Sequence, residues 1–165
     1  MEKLLPLIDK IVLEEENHNL ALTKVFHQLI KFFNCDRAWC LYPCDPESDS
    51  WSVPIESTRQ RWPGVGDSEL IMPTVEDDIA SFNIFLNAKS PVTFGQNAEH
   101  PLPDHVSEVF RVKSQIASVI YPKEGKPWLL GMHFCEKDHE FSNDEIEFFD
   151  RLGKKISLVL DKLVF

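Results

Sequence analysis

Apolar residues recur with a helical period at both ends of this chain and with a strand period between them. That order restricts the fold to terminal helices packed on a sheet. Leu4, Ile8, Ile11 and Val12, followed by Leu22, Val25, Phe26, Leu29 and Phe33, predict two helical pieces with Asn17 and Asn19 as cap residues between them. At the other end Ser142 or Asn143 is a helix cap, and Phe149, Leu152, Ile156, Val159 and Leu163 follow three and four residues apart. A second row, Ile146, Leu160 and Val164, widens that apolar face beyond what one sheet requires. The surplus predicts a homodimer through the terminal helices, with residues 1–16 contributing to the interface.

Between the helices the pattern shortens. Ala38 to Tyr42 is an apolar strand closed by Pro43 and the polar turn Asp45 to Ser50. Trp51, Val53 and Ile55 alternate with polar residues, and Pro54 predicts that this second strand lies at a sheet edge. Gln115 to Tyr121 and Trp128 to Cys135 form a second hairpin across Gly125. The intervening residues 57–113 are irregular and rich in proline, with helices predicted at about Val75 to Asn87 and Asp104 to Phe110. A long ordered crossover of this kind is where a ligand site is expected. The fold class is therefore α+β: a central antiparallel sheet of five or six strands, terminal helices on one face, and a crossover pocket on the other, in a single domain over residues 1–165.

Charge removes several functions. Lysine and arginine number 17 against 27 acidic residues, a formal net charge of −10, which disfavours a nucleic-acid partner. No apolar run approaches the roughly 18 residues of a membrane span, and Glu2 and Asp9 sit where a signal peptide would be basic, so a cytoplasmic, non-membrane protein is expected. The four cysteines read as reduced thiols, with Cys44 in its polar turn the most exposed. No P-loop, G-x-S-x-G, H-E-x-x-H or dinucleotide glycine pattern is present, so catalytic residues are expected to be absent.

Local stretches resemble the GAF family, a small-molecule and signal-sensing module. Asp36-Arg37-Ala38-Trp39-Cys40-Leu41-Tyr42 is similar to the family's first strand, and Phe110 to Ile120 resembles its "f-x-V-x-S/A" approach to a central strand. Lys126 to His133 resembles "g-x-L-W-G-L-x-x-H", and Phe141-Ser142-Asn143-Asp144-Glu145 resembles the start of the last helix. The texture is nearest to the sensory domains of bacterial histidine kinases and phytochrome-like sensors. The resemblance implies a non-catalytic sensory domain of two-component signal transduction. It would bind a small molecule or sense redox state, with residues 143–165 as the signalling helix to a kinase or other output. The cofactor stays unnamed. Leu102 and Pro103 stand near the place where bilin-binding relatives carry a Cys-His pair, so no covalent bilin is expected. Glu136-Lys137 departs from the asparagine of the cyclic-nucleotide signature, and the crossover lacks the cysteines of the methionine sulfoxide reductases of this fold.

Candidate ligand-binding residues follow from chemistry. Arg59, Arg61 and Trp62 combine guanidinium with indole, which suits an anionic planar ligand. His100, His105 and His133 are further contact candidates. Cys40, His133 and Cys135 would form a metal or redox site only if the sheet brought them to one face, although their spacing matches no closed zinc pattern. A small enzyme using pocket Cys and His chemistry, and a ligand-free dimerisation scaffold, are the alternatives to the sensory reading.

Overall fold

The computed structural model describes residues 1–66 and 69–163. The elements in chain order are α1 (Leu4–Glu14), α2 (His18–Phe33), β1 (Arg37–Tyr42), β2 (Ser50–Thr58), β3 (Met72–Pro73), α3 (Glu76–Asn87), β4 (Val92–Phe94), α4 (Asp104–Val109), β5 (Ser114–Ile120), β6 (Trp128–Phe134) and α5 (Asn143–Leu160). One antiparallel sheet runs in the order β3-β2-β1-β6-β5-β4. The α+β reading is thus correct, with six strands.

The helix ends obey their local chemistry. The Asn17 side chain accepts the Leu20 N–H, which caps α2, and Asn34 ends that helix in the left-handed region at φ 56°. Ser142 and Glu145 exchange hydrogen bonds with each other's backbone in a capping box that starts α5.

Alternation along the central strands separates two cores. Ala38 and Cys40 of β1 and Leu130, Met132 and Phe134 of β6 point toward α1, α2 and α5, where they meet Ile8, Phe26, Phe149 and Ile156. Trp39, Leu41 and Leu129 point the other way, against Phe82 and Phe85 of α3. The sheet is therefore covered on both faces, by the ends of the chain on one and the crossover on the other. The surplus row on α5 finds its partners within the molecule: Leu160 is buried and Ile146 packs against the helix-side core, while Val164 lies outside the described residues.

The edge position expected for β2 holds only in part: the two-residue β3 is the edge strand, and Pro54 lies beyond its pairing with β2. β2 pairs with β3 only at Ser50 and Trp51, so most of its outer side bears no strand. Its pairing with β1 steps from Cys40↔Ile55 to Tyr42↔Ser52, and the extra residue bulges out around Pro54. β3 and β4 are two and three residues long, too short for any period to reveal. Cys44 corrects the expectation of exposure. It has no accessible surface and belongs to the core of Trp39, Leu41 and Trp51, because the chain leaving β1 returns its N–H to the Pro127 carbonyl (2.8 Å).

Candidate ligand-binding cleft

The crossover leaves a cleft of about 700 Å³, its open mouth included, between the sheet and α3 and α4. Trp39, Leu41, Leu129, Phe82 and Phe85 make its walls largely apolar.

Three of its polar groups sit in one row across three strands. Arg37 of β1, His133 of β6 and Gln115 of β5 are register partners, so their side chains stand abreast on the cleft face. Arg37 is 2% exposed and donates from Nε to the Trp62 carbonyl (3.1 Å), from Nη2 to Pro63 (3.0 Å) and from Nη1 to Phe110 (2.8 Å). Its Nη1 also lies 3.4 Å from His133 Nδ1. A guanidinium only donates, so Nδ1 is the bare nitrogen and Nε2 carries the proton, which it gives to Gln115 Oε1 at 2.7 Å. The row thus fixes the imidazole's tautomer and ties both ends of the crossover to the sheet floor.

The next row is built on the absence of a side chain. Trp39 and Gly131 are register partners, and a Cβ on Gly131 would fall 2.1–2.6 Å from three indole atoms of Trp39. The indole lies across that gap and tilts against the His133 ring, with centroids 5.0 Å apart. Its Nε1 is buried without a hydrogen-bond partner. Across the cleft, Asp78 accepts from Trp51 Nε1 and from the Val75 N–H, both at 3.0 Å, which anchors α3 to β2. Burial holds the Glu56 carboxyl above its usual range, against the opposing pull of the Gly66 and Val65 N–H groups and the Arg37 charge.

Burial, then the neighbouring Arg37 charge, holds His133 well below its ordinary pKa. The folded protein keeps this ring neutral, while the unfolded chain protonates it below pH ~6.5. The unfolded state then binds more protons, so stability falls as pH drops, by up to about 1.4 kcal/mol per unit from this group. Urea titrations of the parent and His133→Gln between pH ~7 and ~5 are expected to show a stability difference that shrinks with acid. Parallel losses in the two proteins would show that His133 titrates normally.

The cleft brings together only His105 and His133 among the histidine candidates. His105 stands edge-on to Phe110, whereas His100 lies against Phe94 beside Glu99 and outside the cleft. Arg59 bonds Asn34 and Arg61 pairs with Glu136 (3.0 Å), both away from the cleft. Trp62 contributes its backbone carbonyl, and its ring lies under Arg111, 5.0 Å from that guanidinium carbon. Arg37, Gln115 and Trp39 were missed as site residues. The signal was available in the period of β1, which puts Arg37 and Trp39 on one face.

Cys40, His133 and Cys135 do not converge. Cys40 has the opposite strand parity to His133 and belongs to the helix-side core, and no group of three metal-ligating side chains occurs among the described residues. All four thiols are free and buried, and none lines the cleft. Burial pushes Cys35 and Cys44 up to about 12 and Cys135 to about 11, and raises Cys40 as well. Near neutral pH the native protein is expected to resist iodoacetamide while the urea-unfolded chain takes four adducts, as intact mass would show. Rapid labelling of any one thiol in the native state would contradict that burial.

No family sequence model and no curated protein matches the chain. Solved structures do. The phycocyanobilin-bound GAF domain of a cyanobacterial phytochrome superposes with a TM-score of 0.75, at 16% identity over 98% of this chain and 93% of that one. A far-red absorbing dark state with bound biliverdin reaches 0.77 at 14% identity, over 96% and 98% of the two chains. The GAF domain of a phosphoenolpyruvate-protein phosphotransferase from Coxiella burnetii gives 0.67 at 14% identity, over 96% and 90%. Terminal helices on one face of the sheet and a crossover cleft on the other, superposed on these structures over almost the whole chain, make this protein a GAF domain in fold.

Proposed function

We propose that the domain is a sensory and regulatory module whose cleft binds a small molecule and whose terminal helices pass occupancy to an output such as a histidine kinase. The observation that carries this reading is the position of Arg37. It bonds the crossover on both sides of the cleft, through Trp62 and Pro63 and through Phe110, and it stands on β1, whose opposite face carries the helix-side core. A ligand that moves the crossover therefore acts on a strand packed directly against α2. The signal is the difference in ligand affinity between the two arrangements. Redox sensing has less support, since no thiol reaches the cleft.

The working unit is a homodimer joined through the terminal helices, acting in the cytoplasm. Leu13 of α1 (84% exposed) and Leu158 of α5 (58% exposed) support this interface. No helix among the described residues is long and apolar enough to cross a membrane. Native mass spectrometry of protein purified from its own host tests both parts: a dimer carrying a retained small molecule is expected. Hydrogen exchange with and without that molecule should then change in α2 and α5 as well as in the crossover. A ligand that protects the crossover and leaves the helices untouched would refute transmission.

A further inference from the structure

Resting on the reading of the cleft as a ligand site, we propose that its ligand is a flat apolar molecule bearing a carboxylate, and that this group pairs with Arg37 on the sheet floor. The guanidinium is buried, lines the cleft, and is bonded only to neutral acceptors: three backbone carbonyls and one imidazole nitrogen. No carboxylate stands within ion-pair distance of it among the described residues, and four of its five N–H donors are spent, leaving one on Nη2. The Glu56 carboxyl feels the Arg37 charge without pairing with it, and burial pushes that carboxyl toward its neutral form, so an arriving anion gains both the ion pair and the charge-assisted hydrogen bond. The Asp36 carboxylate next in sequence does not serve, because it accepts the N–H groups of Cys135 (2.7 Å) and Glu136 (3.0 Å).

The neighbouring groups repeat the preference for an acceptor. Gln115 spends its carbonyl oxygen on His133, and its amide nitrogen has no partner among the described residues. Trp39, in the adjoining row, is 5% exposed and keeps an indole N–H with no acceptor. Arg37 and Gln115 stand in one row on the same stretch of floor, while Trp39, Phe82 and Phe85 offer flat apolar surface for the body of the molecule. Glu56 and Asp78 line the cleft too, but each already accepts backbone N–H groups, and neither pairs with Arg37.

The test uses three probes of one shape: 2-naphthoate, the neutral 2-naphthamide and 2-naphthylmethylammonium. Binding is measured by calorimetry and by the indole N–H resonances of the tryptophans, with Trp39 assigned from its loss in Trp39→Phe. Naphthoate is expected to bind at least ~10-fold more tightly than naphthamide, with the ammonium weakest, and to shift the Trp39 indole proton most. Arg37→Gln should abolish the discrimination. If that variant does not fold, Gln115→Leu should reduce the preference for naphthoate in a folded protein. Equal binding of the three probes, or preference for the ammonium, would overturn the carboxylate and leave the cleft a ligand site. Failure of all three to bind would overturn both readings.

Discussion

Replacing Arg37 with alanine is expected to lower the unfolding free energy by about 3–5 kcal/mol, because three carbonyls and an imidazole lose their donor at once. Each such acceptor left unpaired in a largely buried place costs about 1–3 kcal/mol, partly recovered where water enters through the cleft mouth. Arg37→Lys should recover only a fraction. Its ammonium is a single point with three donors, and it cannot span carbonyls that approach a planar fork from Trp62, Pro63 and Phe110. Urea unfolding gives the energy, and hydrogen exchange locates it: residues 62–66 and 104–112 should lose protection before the helices do. A variant as stable as the parent, with an unchanged crossover, would show that the guanidinium does not hold these segments.

Gly131→Ala is expected to destabilise the domain by about 2–3 kcal/mol even though alanine is the better strand residue. Backbone entropy favours the alanine by about 0.5–1 kcal/mol. The opposing effect is larger, since the new methyl would sit 2.1 Å from Trp39 Cζ2 and 2.4 Å from Cη2, and the indole is itself packed against His133 and the walls of the cleft. The ring has to swing into the cleft, so Trp39 fluorescence should change along with the midpoint of unfolding. Trp39→Leu in the Gly131→Ala background removes the ring that clashes. The alanine should then cost far less, a non-additivity that a general strand effect would not produce.

The architecture was legible where a period ran long enough to be seen. Phe149, Leu152, Ile156 and Val159 identified α5, and Trp51, Val53 and Ile55 identified β2 with its proline on the open side. β3 and β4 escaped because two or three residues contain no period. The site was harder, for a different reason. Arg59, Arg61 and Trp62 drew notice by lying close together in sequence, yet the cleft floor is assembled from Arg37, Gln115 and His133, which are distant in sequence and abreast only through strand register. Register depends on which strands neighbour one another, and that is decided by the whole sheet. Cys44 failed as an exposed thiol because a polar turn says nothing about which of its members folds inward.

The bulged, proline-bearing outer side of β2 also limits how copies of this molecule can meet. A strand from another chain would need a straight run of free N–H and C=O groups, and Pro54 supplies no donor while the bulge twists its neighbours out of line. Growth of a continuous sheet from one molecule to the next, the route to fibres, is thereby obstructed at this margin.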